Sequence, residues 1–306
     1  MNSILIFFLT ITRSASPACL AVRVLGLCLS SLFSYGHAEA DEMTREEVVQ
    51  LFSKQRDRLL SATIEYRRFE QGDDVRDLTV DELRTAWAKV ESLDTESRFR
   101  EFASSLLSDP NQYATPWVDA KLIFTNGKLK DMDSRNTFAF DGKNWVGERR
   151  RNGFREAVIG ANGYPGNITN EGSFRWLLPA AVKSESLTVS APQSGFVSFT
   201  VGKTAGVLDD ASVLIDHKTG IVREVKVSDR AGNVRSLMLT KGEVSNDCGI
   251  AFPSSAMTIT VSNGKVIWTK LVAVKKCQFN VPIDDGEFKI AADPNKIIRD
   301  RRGETR

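Results

Sequence analysis

Few residues of this chain have the type and spacing to do chemistry. Its four cysteines are Cys19, Cys28, Cys248 and Cys277, and its two histidines are His37 and His217. The leader described next contains Cys19, Cys28 and His37, so two cysteines and one histidine remain, too few for the four ligands of a structural zinc site. His217 falls in the turn His217-Lys218-Thr219-Gly220, where a histidine is most often a solvated loop residue. No Gly-x-Ser-x-Gly elbow occurs, and Asp284, Asp285 and Glu287 mark a strand end rather than an acid/base pair. No catalytic residue, metal or cofactor is therefore expected. The remaining chemistry is a disulfide between Cys248 and Cys277, which an exported location would permit; the alternative is two partly buried thiols.

Export is written into the first 40 residues. Positions 3–11 and 19–35 are apolar, Arg13 and Arg23 lie between and within them, and Ala38-Glu39-Ala40 follows. This is the pattern of a secretory signal with an Ala-x-Ala cleavage site, cut before Asp41. It is long for a signal, so a retained membrane anchor stands as the second reading. A lipidated cysteine at Cys19 or Cys28 is the third, without the small-residue pattern and adjoining apolar core that it needs. Cleavage is favoured by the small residues Ser30, Ser31, Ser34, Gly36, Ala38 and Ala40. The mature protein is then expected in the periplasm or cell envelope.

Removing 40 of the 306 residues leaves 266, ample for a sizeable core, and lowers the formal charge from +2 to +1. A chain so nearly neutral is not built for nucleic acid. A single domain over residues 41–298 is expected, with residues 299–306 as a disordered tail and the protein a monomer.

The elements that must position these residues begin with a helix at Thr44–Leu60. Thr44 caps it, Glu46 and Glu47 suit its first turn, and Val48, Leu51, Phe52 and Leu59, with Gln55, recur at helical spacing. Ala62, Ile64 and Tyr66 then alternate with Thr63, Glu65 and Arg67 in a first strand. Residues 71–109 form a charged helical insertion, opened at Thr79-Val80-Asp81-Glu82 and packed against the sheet through Leu83, Trp87, Phe99 and Phe102.

Strands and tight turns fill the rest. Asn126-Gly127 joins Trp117–Phe124 to Lys128–Asp133 with opposed residues summing to 253. Asp141-Gly142 turns Thr137–Phe140 into Lys143–Glu148 and sets Phe138 opposite Trp145, an aromatic pair read first as sheet packing and second as a ligand contact. Arg149, Arg150, Arg151 and Arg155 read as a solvated edge that discourages strand addition, or as an anion site. Residues 160–172 read as a flexible Gly/Asn-rich loop of the kind that can serve as a lid over a pocket, containing the glycosylation sequon Asn167-Ile168-Thr169; Ser173–Pro179 is a short helix. Strands follow at Ser186–Ser190 and Phe196–Val201.

From Ala211 to Ile290 the chain reads as an antiparallel meander. Val213–Asp216 turns at residues 217–220 into Ile221–Ser228, and Gly232-Asn233 turns that into Val234–Thr240. Asn263-Gly264 is the strongest hairpin signal. With those two as loop residues, opposed positions sum to 527, so that Val261 meets Val266 and Ile259 meets Trp268. The same register puts Cys277 opposite Ile250, near Cys248. Val266, Trp268, Val272 and Val274 fall on one face of the last strand and Ile267, Leu271, Ala273, Phe279 and Val281 on the other, so something must cover each face.

The helix that runs into Ser61-Ala62-Thr63-Ile64-Glu65-Tyr66, the Phe140-Asp141-Gly142-Lys143-Asn144-Trp145 hairpin, the run from Ile215 to Val225 and the closing segment from Phe279 to Phe288 resemble the lipoprotein-carrier superfamily. This is the LolA/LolB-like group, which includes outer-membrane lipoprotein-sorting proteins. The resemblance spans most of residues 42–290 and rests on turns and strand ends. It implies an α+β fold, a curved antiparallel sheet or incomplete barrel around a few helices, whose concave face in true carriers receives acyl chains. The chain departs from it in the helical insertion and in length, and no cargo-contact residue of a carrier matches position by position.

Two non-catalytic functions follow as expectations. One is an envelope carrier whose partner is a lipid or lipidated protein; the other is a sensor or scaffold that binds an envelope protein through the same fold. In the carrier reading the concavity is open to ligand, and in the bland alternative helices fill it.

Overall fold

Thr44 opens the first helix by a reciprocal cap. Its hydroxyl accepts the Glu47 N–H at 3.2 Å and the Glu47 carboxylate accepts the Thr44 N–H at 2.7 Å, which satisfies two otherwise orphaned donors. The helix, α1, runs Arg45–Arg58 and buries Val48. In this computed structural model the described residues are 44–72, 76–110, 117–125, 127–134, 136–151, 154–161, 187–189, 196–201, 210–244, 248–289 and 296–300. The leader, the Asn167 sequon, the Ser173–Pro179 helix and all but the first two residues of the 160–172 loop lie outside them.

The insertion holds two helices, α2 (Val80–Lys89) and α3 (Glu96–Ser105). Thr79 and Glu82 form a second capping box at the start of α2. At its other end the Lys241 ammonium donates to the carbonyls of Trp87 at 2.6 Å, Ala88 at 3.0 Å and Val90. These are the carbonyls that a helix C-terminus leaves without partners.

One sheet carries every strand. In chain order these are β1 (Ser61–Gln71), β2 (Trp117–Thr125), β3 (Lys128–Asp133), β4 (Asn136–Phe140), β5 (Asn144–Arg151), β6 (Phe154–Ala161), β7 (Leu187–Val189), β8 (Phe196–Val201), β9 (Asp210–Asp216), β10 (Val222–Ser228), β11 (Val234–Lys241), β12 (Ser255–Ser262), β13 (Lys265–Phe279) and β14 (Lys296–Asp300). Their spatial order is β14-β6-β5-β4-β3-β2-β1-β13-β12-β11-β10-β9-β8-β7. Two meanders thus meet where β1 pairs with β13, and the sheet is curved and open, with β14 and β7 at its edges. The fold class is α+β, of the incomplete-barrel kind expected.

Two expectations change at the β14 edge. β14 runs parallel to β6, so the sheet is mixed rather than wholly antiparallel, and strand structure continues to Asp300, past the boundary expected at 298. The arginine run does not lie on an edge strand either. It belongs to β5, where Arg149 lies between Asn136 of β4 and Glu156 of β6, while Arg150 and Arg151 pair with Arg155 and Phe154 of β6.

The registers show which turns were read correctly. Phe124 pairs with Leu129 and Thr125 with Lys128, as the sum of 253 requires. Asn263 and Gly264 take positive φ of 51° and 75°, the signature of a two-residue type I′ loop, and Val261 meets Val266. A bulge then intervenes, so Thr260 meets Trp268 and Ile259 meets Thr269, not Ile259 with Trp268. The bulge leaves Ile267 between paired residues, half exposed. At Asp141-Gly142 the loop is longer by two residues, Asp141–Asn144 in place of Asp141-Gly142, because the Asp141 carboxylate accepts the N–H groups of Lys143 and Asn144 and the Asp141 N–H donates to Asn144 O. Phe140 therefore faces Trp145, while Phe138 stacks on Trp145 diagonally, ring centroids 6.2 Å apart.

Residues directly opposite one another share a face. One face carries a continuous row, Trp117-Phe69-Leu271-Met257-Leu239, across five strands. Leu83, Trp87, Phe99 and Phe102 of α2 and α3 cover it, and the insertion is thus the lid of this layer. The other face is covered at its β8–β11 end by Val48 of α1 over Val197, Val213, Val225 and Met238.

Candidate functional site

Among the described residues no α-helix covers the middle of that second face. Ala62, Ile64 and Tyr66 of β1 lie between Leu122 and Phe124 of β2 and Val272, Cys277 and Phe279 of β13. Above them sit Leu59, just past α1, and Ile250 and Phe252 of the segment Cys248–Ser254, which has no regular secondary structure. Ile250 is 3 % exposed and Phe252 is 2 % exposed, and the Phe252 ring lies 5.5 Å from that of Phe279. Burying two such side chains contributes about 1.5–3 kcal/mol each.

Polar contacts along its length hold the segment. Val244 N–H donates to Phe252 O at 2.8 Å, Val274 N–H to Ser254 O at 2.8 Å, Ser254 Oγ to Lys241 O at 3.2 Å, and Arg58 Nη1 to Gly249 O at 3.2 Å. Gly249 has a φ of 62° and Gly242 one of 63°; a Cβ on Gly242 would also collide with Ser254 Oγ.

A polar bank borders the apolar area on the same face. Tyr66 donates its hydroxyl to Asp131 Oδ1 at 2.6 Å, and the Arg68 guanidinium reaches Asp133 and, at 3.6 Å, Asp131. Their side chains are nearly buried, that of Asp133 being 1 % exposed. A buried charge cluster of this kind is tolerated only when its members pair with one another. In the next rung Lys270, 1 % exposed, stands opposite Thr258. Thr258 Oγ1 is buried without a hydrogen-bond partner among the described residues.

The residues singled out from the sequence fall as follows. Cys248 and Cys277 both pack on this apolar cluster, and the structure carries both as thiols. Cys277 faces Ile64 of β1 rather than Ile250, because β12 begins only at Ser255. Burial pushes the Cys277 thiol up, and Cys248 adds to the effect. His217 is exposed in a turn closed by Asp216, whose carboxylate accepts the Lys218 and Thr219 N–H groups. Asp284 caps a short 3-10 turn at Asp285–Phe288, Asp285 pairs with Lys128 at 2.6 Å, and Phe288 is buried. These acids are structural, and no group of three or more metal-ligating side chains occurs among the described residues.

Sequence reasoning missed Arg68, Asp131, Asp133, Ile250 and Phe252. A signal existed for the first three. Arg68 has the parity of Ala62, Ile64 and Tyr66, and Asp131 and Asp133 have that of Leu129, so opposite charges fall on one buried face. Ile250 and Phe252 lie in a stretch with no period of its own.

The fold and this face define a class, an α+β protein on an open, curved sheet with one face under helices and the other partly under a loop. No protein-family model matches the sequence, and no curated protein is similar to it. Among solved structures the chain is similar to a LolA superfamily protein from Nitrosomonas europaea, at 6 % identity and a TM-score of 0.45, over 81 % of this chain and 98 % of that one. It is also similar to a putative outer membrane lipoprotein-sorting protein domain from Vibrio parahaemolyticus (8 % identity, TM-score 0.46, 80 % and 97 % covered). A third is a DUF1329 family protein from Desulfovibrio piger (7 % identity, TM-score 0.42, 80 % and 96 % covered). The first two carry the name of the group that the sequence motifs resemble, and at such values the likeness carries no further argument about this chain. No helix among the described residues is long and apolar enough to cross a membrane.

Proposed function

We propose that this chain is an exported, non-catalytic carrier that takes an acyl chain, free or on a lipidated protein, onto the sheet face now occupied by Ile250 and Phe252. The observation that supports this reading is the cover itself. An apolar face spanning β1, β2 and β13 is closed by two side chains from a segment without regular structure, where a helix would make a permanent layer.

The magnitudes suit reversible binding. A chain of about twelve methylenes brings roughly 10 kcal/mol at about 0.8 kcal/mol each, and displacing Ile250 and Phe252 takes back about 3–6 kcal/mol. Association entropy reduces the remainder further. Affinity is then weak enough for release, and the polar bank of Tyr66, Arg68, Asp131 and Asp133 offers hydrogen bonds to a headgroup beside the chain.

Native mass spectrometry of protein purified from cell envelopes tests the proposal, together with titration of the fluorescent fatty acid cis-parinaric acid. A lipid adduct and saturable fluorescence are expected, with tighter binding by Phe252→Ala. Protein without lipid, and without saturable titration even as Phe252→Ala, would sink it. Specific co-purification of one envelope protein in place of lipid would favour the sensor reading.

A further inference from the structure

The segment that covers the apolar face carries one thiol, and the strand beneath carries another. Cys248 opens the segment with its Sγ 3.6 Å from Phe279 O. Cys277 lies two residues before Phe279 on β13. Both pack on the cluster that contains Ile64, Phe252 and Phe279.

We propose that Cys248 and Cys277 form a reversible disulfide that latches the Cys248–Ser254 segment onto the sheet, so that oxidation locks the apolar face closed and reduction leaves the segment free to lift. The purpose of the opening rests on the carrier reading; the latch itself does not. A disulfide needs Cα atoms about 4.4–6.8 Å apart, and a segment outside any strand ladder, with Gly249 beside the cysteine, can settle into that spacing where a ladder strand could not.

The oxidant is a disulfide of the thiol-exchange class, either a protein or a small molecule. Exchange starts at the Cys248 sulfur, at the head of the irregular segment. That sulfur attacks one sulfur of the oxidant, a bond forms between them, and the oxidant's own S–S bond breaks with loss of a thiolate. The Cys277 sulfur then attacks Cys248, forming the internal bond and expelling the second oxidant sulfur. Two electrons pass from the cysteine pair to the oxidant, and the two thiol protons end on its sulfurs.

The test uses the full mature chain equilibrated with oxidised or reduced glutathione. Peptide mass spectrometry reads the bond, and amide hydrogen exchange reads the segment. The expected result is a Cys248–Cys277 bond in the oxidised sample, with exchange at Ile250–Phe252 slowed by at least about 10-fold. Cys248→Ser and Cys277→Ala, each examined separately, should both exchange at the rate of the reduced protein in either buffer. Absence of the bond, or a bond that leaves exchange unchanged, overturns the latch. In the same samples cis-parinaric acid should bind about 10-fold more weakly to the oxidised form. Slowed exchange with no binding in either state would retain the latch and reject the carrier reading.

Discussion

The Asn280 side chain accepts the Leu60 N–H at 2.9 Å and donates to Arg58 O at 2.8 Å. It closes the end of α1 from the far end of β13, in a backbone conformation with a φ of 56° that asparagine tolerates better than most residues. Asn280→Ala loses both bonds and should cost about 2–3 kcal/mol. Urea unfolding measures it, and a change within about 0.5 kcal/mol would mean that water replaces the side chain without loss.

Thr258 has a separate signature. Its buried, unpartnered hydroxyl costs about 1–3 kcal/mol, so the near-isosteric Thr258→Val should stabilise the ligand-free protein by about 1 kcal/mol or more. If the hydroxyl serves a headgroup, the same variant weakens binding of a fatty acid and leaves binding of a plain alkane unchanged. Equal effects on both ligands would show that Thr258 meets no headgroup.

Asp216 predicts an acid limb in stability. Burial raises its carboxyl, but the Thr219 and Lys218 N–H groups and Arg223 outweigh that and hold it below the ordinary aspartate value. A depressed folded value means that its contribution is complete above the unfolded value and is lost as pH falls through the folded one. Wild type should therefore lose stability relative to Asp216→Asn between about pH 4 and about pH 2. Urea midpoints across that range measure the difference, and parallel curves would show that the turn is held by other contacts.

Two glycines should respond oppositely to alanine. A Cβ on Gly147 meets Trp145 and Phe138 only at 3.8 Å and 3.9 Å, ordinary contact, so Gly147→Ala should be neutral within about 0.5 kcal/mol. Gly242→Ala adds left-handed strain and a collision with Ser254 Oγ, and should cost at least about 1–2 kcal/mol. It should also speed amide exchange at Ile250 and Phe252, since Ser254 anchors their segment. Thermal unfolding of the pair in parallel distinguishes these outcomes.

What was legible in the chain was local. Thr44 with Glu47 and Thr79 with Glu82 announce helix starts because both halves of each cap lie within four residues. Asn126-Gly127 and Asn263-Gly264 set registers correctly for the pairs beside them. The bulge at Ile267 was not legible, since Val266, Ile267 and Trp268 are all apolar and fit either parity. The two extra loop residues after Gly142 depend on which N–H groups the Asp141 carboxylate accepts, a choice that the Asp-Gly pair leaves open. The pairing of β1 with β13 and the placing of Ile250 and Phe252 arise from contacts between distant parts of the chain. No short pattern encodes them.

The meeting of β1 with β13 also governs when the protein can finish folding. Ala62 pairs with Phe279, so the central strand pair must wait until nearly the whole chain has been made. Such long-range closure is slow, and until it happens neither meander has a complete sheet to settle on. Under the export proposed above that delay would be useful: translocation machinery would receive a polypeptide that is still threadable, and the seam would zip up only after the last long strand has crossed.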